Sequence, residues 1–400
     1  MQHNLRCLAI SRVSLFPPEH GGAKNLLSIL QSLRNSGAEC HVLVKLRPHD
    51  LPEAERFAGQ REANLLTHHE GISYEGISTE ERNFVKAVEE KIESFHPDYF
   101  FLADDGLDNS EDLFRIGAQS GRLVFLAQTI HCLPFGPYSM LRSSGILESL
   151  RKAKNIIAPS QFVQTYIRDH AGLESQVYYP HVFGNGLFPK LGNFDNPYIT
   201  MINPCTWKGS SIFLDIVKAR PHVKFAAVPT WGAQETLLKE LSTLPNLTLL
   251  PETKNIDEIF EKTRLLLTPS LCQEAFGLVS TEALLRGVPV VASDLAGLRE
   301  STLGICPLIP VKALSFDTPA PEGVFPPFGW QPTENAIAPW LEAIDQILQD
   351  RTHYEEASKK AQAVAASFVE RISQTSFYSV ITTPKTDPLT ALRGAGSRGR

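Results

Sequence analysis

Short apolar runs alternate with amphipathic stretches along most of this chain, and that alternation limits its architecture more than any other feature. Residues 5–10, 40–46, 98–103, 123–127 and 155–158 read as buried strands. Between the first two, residues 23–35 place Leu26, Leu27, Leu30 and Leu33 on one helical face before Gly37 ends the helix. Residues 80–95 do the same with Phe84, Val85, Val88 and Ile92, and Ser160 is a fitting N-cap for a helix running towards His170. Strands alternating with helices predict a parallel sheet covered on both faces. The rhythm breaks where Gly184, Gly186, Pro189, Gly192 and Pro197 cluster, which marks a linker. It then restarts with strands at 198–202, 223–228 and 247–250 and helices at 210–219, 233–242 and 256–262. The expectation is an α/β protein of two doubly wound, Rossmann-like domains, with ligands bound in the cleft beyond the carboxyl ends of the strands.

Within this frame, residues 265–292 are the most informative stretch. Apolar Leu265 to Leu267 leads into Thr-Pro-Ser-Leu-Cys-Gln, then Glu274-Ala275-Phe276-Gly277-Leu278, then a helical run containing Glu282, then the apolar residues 288–292. The backbone N–H groups near Phe276, Gly277 and Leu278 fall at a helix start. Amides there lack intrahelical partners and the helix dipole favours an anion. Gly277 permits close backbone approach. A carboxylate accepts two hydrogen bonds from a vicinal diol, as the acidic residue of dinucleotide folds does with ribose. Two carboxylates flanking phosphate-binding amides describe a nucleotide-sugar site.

This stretch resembles the donor-site signature of the retaining family 4 glycosyltransferases, which have the GT-B fold. The likeness rests on the E-x7-E pair, the Glu-Ala-Phe-Gly-Leu run and Gly-Val-Pro-Val-Val-Ala-Ser after it. It implies that Glu274 meets donor-sugar hydroxyls and Glu282 the ribose. It also implies that His131, after the strand ending near Thr129, contacts the donor sugar from the N-terminal domain. Lys208, after strand 198–202, would neutralise the leaving diphosphate. The family usually carries an Arg five residues before this Lys. Here that residue is Asn203, which leaves the phosphate charge to Lys208 and the helix dipole, or to a cation elsewhere. Gly21 and Gly22 match the family's Gly-Gly pair in the first loop, although an ordinary tight turn accounts for them equally well. Glu252 should lie near the nucleotide base, and Glu300 should support the site or position the domains.

The resemblance implies a hexosyltransferase-like enzyme that retains anomeric configuration and needs no metal or other cofactor. The donor is a nucleoside diphosphate sugar, with UDP-sugar favoured and GDP- or dTDP-sugar as alternatives. The acceptor is a small specialised metabolite or a saccharide. His20 and the apolar loop containing Leu133, Phe135 and Tyr138 are weak acceptor-site candidates, with simple packing as the other reading of the loop. Two rival functions stand beside this one: a non-catalytic nucleotide- or sugar-binding protein on a decayed transferase fold, and another GT-B enzyme such as a sugar-nucleotide epimerase.

Expected boundaries are an acceptor domain over 1–182, a linker over 183–196 and a donor domain over 197–368. A segment over 369–383 is a candidate to return to the first domain, and a tail over 384–400, with few core-forming residues, is expected to be disordered. The Pro-rich segment 311–333, with Phe325, Phe328 and Trp330, reads as a rigid surface loop or an apolar flap. Hydrophobic residues at 42 % are enough for two cores, and a net charge of −6 gives no electrostatic case for nucleic acid. The six scattered cysteines form no C-x-x-C pair and suit a reducing compartment, so a cytoplasmic location is expected. No apolar run reaches the ~20 residues of a membrane span, which leaves peripheral membrane contact open.

Overall fold

The structure is a computed structural model, and it describes residues 4–12, 18, 20–46, 64–78, 81–103, 111–140, 142–184, 186–314 and 334–383. The strands of the first sheet are β1 Arg6–Ser11, β2 Glu39–Lys45, β3 Asn64–His69, β4 Ile72–Ile77, β5 Tyr99–Ala103, β6 Leu123–Leu126, β7 Asn155–Ala158 and β8 Gln176–Val177. Its helices are α1 Gly21–Asn35, α2 Glu81–Phe95, α3 Glu111–Gln119, α4 Ser144–Arg151 and α5 Gln161–Ala171. The strands lie in the order β3-β4-β2-β1-β5-β6-β7-β8.

Alternate residues of the central strands face opposite helical layers, as the pleat requires. Cys7, Ala9, Tyr99 and Phe101 join α1 in one core, whereas Leu8, Ile10, Phe100 and Leu102 join residues of α2 to α5 in the other. Burial on both faces explains why these strands read as unbroken apolar runs. One element departs from the predicted all-parallel sheet. β3 pairs antiparallel with β4 at the edge, through a turn in which Glu70 (φ 49°) and Gly71 (φ 75°) are both left-handed. That is the two-residue turn whose twist suits a hairpin.

The second sheet contains β9 Tyr198–Ile202, β10 Phe225–Val228, β11 Leu247–Leu249, β12 Thr263–Thr268, β13 Val290–Ser293 and β14 Leu308–Ile309, in the order β11-β10-β9-β12-β13-β14 and all parallel. Helices α6 Ser210–Ala219, α7 Glu235–Ser242, α8 Asp257–Phe260, α9 Leu278–Leu285, α10 Leu298–Ser301 and α11 Ala338–Ile347 accompany it. Phe213, Ile216 and Trp340 fill one face, and Leu284, Leu285 and Val288 the other.

The long helix α12 Arg351–Ser373 packs Ala361, Ala365 and Phe368 into this second core. The chain then crosses back. α13 Phe377–Thr382 buries Phe377 and Ile381 in the first core, against α1. Each fully buried side chain of this size contributes roughly 1.5–3 kcal/mol, so α13 is held firmly. The segment before β9 packs on the second domain: Leu191 and Gly192 both donate to Arg286 O, at 2.8 and 2.9 Å. A Cβ on Gly192 would sit 1.9 Å from Gly287 O, so only glycine fits that contact. No disulfide joins any of the six cysteines, all of which lie among the described residues. Among the described residues, no helix is long and apolar enough to cross a membrane. The tail from Pro384, Asp104-Asp105, and Phe325, Phe328 and Trp330 lie outside the described residues.

Candidate functional site

β12 and β9 are the two central strands of the second sheet, and the loops leaving their carboxyl ends interlock. The β12 loop carries Glu274. The β9 loop carries a 3-10 turn, Thr206–Lys208, ending at Gly209. Trp207 O accepts from both Leu271 N and Cys272 N, at 2.9 and 3.0 Å. Gly209 is left-handed (φ 77°), and a Cβ there would lie 1.8 Å from Pro269 O. The two loops therefore touch through backbone with no room for a side chain. This contact brings the Lys208 ammonium onto Glu274 Oε1, which also accepts from Ser270 Oγ at 2.8 Å.

The pair is partly shielded, with side-chain exposures of 24 % for Lys208 and 15 % for Glu274. Burial alone would push the Lys208 pKa down, but Glu274 outweighs it and holds the ammonium protonated well above its ordinary value. Burial would likewise raise the Glu274 carboxyl. Lys208 and the Ser270 hydroxyl reverse that and keep it below the ordinary range.

His131 comes from the other domain, in the short 3-10 turn Ile130–Cys132 after β6. It is buried, and its Nδ1 lies 3.1 Å from Tyr138 O. A carbonyl only accepts, so Nδ1 carries the proton and Nε2 is the acceptor of the neutral ring. Its ring stands edge-on to Trp207 at a centroid distance of 5.2 Å, across the domain boundary. Burial pushes its pKa down to about 4, against the opposing pull of the Tyr138 carbonyl and Glu274. The domain boundary thus brings together a cation, an ionised carboxylate and a neutral imidazole.

α9 starts at Leu278, with Gly277 (φ 94°) at its N-cap and no capping side chain. A Cβ on Gly277 would lie 2.6 Å from Leu298 Cδ2, so space as well as backbone conformation selects glycine. Ala275 and Gly277 are half-buried, while the Phe276 side chain is core, stacked on Phe368 at 6.0 Å. Only the backbone of Phe276 belongs to the site. Glu282 follows Leu278 by little more than one turn. Burial raises its carboxyl pKa, opposed by Lys24 of α1 and by Arg286. Arg286 is itself tied to Asp257 at 2.8 Å.

Gly21 and Gly22 are the first residues of α1, and a Cβ on Gly21 would meet Leu278 Cδ1 at 2.9 Å. The starts of α1 and α9 therefore face each other closely across the cleft. His20 caps α1, its Nδ1 accepting from Ala23 N at 3.3 Å.

The remaining candidates sit differently from expectation. Asn203 is buried, left-handed (φ 58°), and accepts from Gly232 N at 3.1 Å. It holds a turn, a task that asparagine performs in this conformation and that arginine performs poorly. Glu252 is exposed beyond β11, the edge strand, with β10 and β9 between it and β12. It is not gathered with Lys208 and Glu274. Leu133 and Phe135 are 0 % and 6 % exposed and belong to the core of the first domain, so packing, not a pocket, accounts for them. Tyr138 stacks on Tyr166 at 6.2 Å and serves the site through the carbonyl that orients His131. Sequence reasoning missed Trp207, Ser270 and Lys24. The first two stand one and four residues from Lys208 and Glu274, so their proximity was the available signal.

Residues 198–311 match the family model described as glycosyl transferases group 1. No curated protein matches the sequence. Among solved structures, HepE of Anabaena in complex with UDP-glucose is 18 % identical, with a TM-score of 0.64 over 95 % of this chain and 100 % of that one. TarM of S. aureus, in complex with Fondaparinux, alpha-GlcNAc-glycerol and UDP, is 11 % identical, with a TM-score of 0.66 over 95 % and 100 %. A glycosyltransferase from Rickettsia africae is 12 % identical, with a TM-score of 0.64 over 96 % and 100 %. The fold is GT-B, and the resemblance read from the sequence stands at the level of the group 1 glycosyl transferases.

Proposed function

We propose that this chain, a GT-B protein with a group 1 glycosyl transferase match over its C-terminal domain, transfers a sugar from a nucleoside diphosphate sugar, foremost a UDP-sugar, to a saccharide or small-molecule hydroxyl. The observation that carries the reading is the joining of Lys208, Glu274 and His131 at the domain boundary, together with the start of α9, which has no side-chain cap. UDP or UDP-glucose bound to HepE, and UDP bound to TarM, favour uridine as the base.

In the proposed reaction the bond between the anomeric carbon and the diphosphate breaks, and its electron pair leaves on the phosphate oxygen. Lys208 and the amides at the start of α9 face that developing charge and stabilise it by preorganised electrostatics, without a metal. Glu274, held ionised, accepts from donor-sugar hydroxyls, and neutral His131 offers Nε2 as a second acceptor. Glu282 takes the ribose diol. The acceptor oxygen attacks the face the diphosphate leaves, so configuration is retained, and its proton passes to the leaving phosphate. Six cysteines without a disulfide between them suit a reducing, cytoplasmic setting.

Thermal unfolding with UDP, GDP, dTDP and ADP tests the reading. A ligand at ~100 times its dissociation constant stabilises by about 2.7 kcal/mol. UDP should raise the wild-type midpoint most, and Glu282→Ala should lose most of that gain. No shift with any of the four overturns the nucleotide-sugar site and favours the decayed-transferase alternative. A shift without turnover on any UDP-sugar does the same for catalysis.

A further inference from the structure

The two domains also meet away from Lys208, at the start of α5. All four leading amides of that helix find acceptors. Val163 N donates to Ser160 Oγ at 3.1 Å, and Gln164 N to Ser160 O at 3.1 Å. The other two cross the domain boundary. Gln161 N donates to Glu300 Oε2 at 2.9 Å and Phe162 N to Glu300 Oε1 at 2.8 Å. Tyr179 OH adds a third bond to Oε2 at 2.9 Å. A carboxylate at a helix N-terminus faces the positive end of the dipole, and its hydrogen bonds are charge-assisted. The N-terminal domain thus has a helix whose cap is completed by the C-terminal domain.

Ser160 works in both directions. While its Oγ accepts from Val163, it donates to Ala275 O at 2.6 Å. Ala275 follows Glu274, whose own carbonyl accepts from Gly297 N at 2.9 Å. A Cβ on Gly297 would lie 2.5 Å from Ala275 O, so the 297–300 turn lies directly against the loop. The backbone at 274 and 275 is therefore gripped from both sides, by Ser160 of one domain and by the turn that carries Glu300 in the other.

We propose that Ser160 and Glu300 are positioning residues that couple the seating of the N-terminal domain to the conformation of the Glu274 loop. Separation of the domains takes away the donor to Ala275 O and the acceptor of two α5 amides together. The loop relaxes only when the domains part, and the Glu274 geometry is complete only when they are seated. The consequence for catalysis rests on the donor-site reading of that loop. The coupling itself does not.

The decisive variant is Ser160→Asp. Aspartate caps a helix as well as serine does, but when ionised it has no proton to give Ala275 O. Hydrogen–deuterium exchange of the ligand-free protein is followed over residues 161–171 and 272–300. The expected result is unchanged protection in α5 beyond its first turn, with exchange over 272–300 about ten-fold faster. Ser160→Thr keeps both the cap and the donor and should match wild type. Glu300→Gln turns an amide NH2 towards α5 and should speed exchange at 161–162 and over 272–300 together. Wild-type exchange over 272–300 in Ser160→Asp, or a change confined to α5 in Glu300→Gln, overturns the coupling. UDP titration of the same proteins should show about ten-fold weaker binding in Ser160→Asp than in Ser160→Thr. Failure of UDP to bind wild type counts against the donor-site reading alone, because the exchange comparison still decides the coupling.

Discussion

Protonation of His131 should destabilise the protein. The ring is 5 % exposed, its Nδ1 bonded to Tyr138 O and its edge against Trp207. Burial takes its pKa from the ordinary 6.5 down to about 4, with Lys208 adding to the fall and the Tyr138 carbonyl and Glu274 opposing it. Between these values the unfolded chain binds a proton that the folded chain refuses. The contribution is therefore complete above pH 6.5 and is lost as the pH falls towards 4. Over that range the loss is about 3 kcal/mol, and between pH 7 and pH 5 it is about 2 kcal/mol. Other titrating groups are removed by comparison with His131→Phe, which keeps an aromatic edge against Trp207 but cannot titrate. Urea unfolding by circular dichroism at the two pH values should show wild type losing about 2 kcal/mol more than the variant. A direct imidazole titration by NMR should show a midpoint well below the ordinary value. Parallel pH profiles for the two proteins would refute the buried neutral ring, and with it the assignment of His131 Nε2 as an acceptor.

The ion pair and its backbone support make two further tests. Lys208→Met leaves the Glu274 carboxylate shielded with Ser270 as its remaining hydrogen-bond donor. It should cost roughly 2–3 kcal/mol in denaturant unfolding, below the 3–5 typical of fully buried pairs because both groups keep some exposure. Lys208→Met/Glu274→Gln should recover much of that stability but none of the turnover, which should fall ~100-fold or more in either variant. Gly209→Ala drives a Cβ into Pro269 O and should lower the melting midpoint and donor affinity together, whereas alanine at the exposed Gly121, with no atom within 4 Å, should change stability without touching affinity.

The candidate donor half of the site is the part most open to sequence reading, because its residues are contiguous. Strand, loop, left-handed Gly277, helix start and Glu282 fall within residues 265–292, so local rules place them with no knowledge of the rest of the fold. Lys208 and His131 were legible from their positions after strands. The acceptor side was not. Leu133 and Phe135 carry the same apolar signal whether they line a pocket or fill a core, and only burial separates the two. The β3–β4 hairpin escaped because its Glu70-Gly71 turn lacks the Asn-Gly or Asp-Gly signal that announces such turns. Ser160 announced itself as a cap, but its bond to Ala275 spans 115 residues, and no local pattern encodes a partner at that distance.

Asn203 shows how the charge at this site is arranged. Where the resembling family usually carries an arginine, this chain has an asparagine committed to a left-handed turn and to Gly232 N, so it brings no charge there. Lys208 is already balanced by Glu274, so the pair is nearly neutral before a ligand arrives. In the proposed reaction an incoming diphosphate would meet Lys208 N–H groups not directed at Glu274, the amides at the start of α9, and Lys24 on the neighbouring face of α1. Of the two cations, Lys208 is partly shielded and paired, whereas Lys24 is exposed. Glu274 gains from the same pairing. Against burial, Lys208 and Ser270 hold its carboxyl below the ordinary range, which preserves its capacity to accept. Under the proposed function, one ion pair would keep a carboxylate able to bind the sugar and a cation able to bind the phosphate. In the proposed reaction these two ends of the donor are the ones that must be held apart as the bond between them breaks.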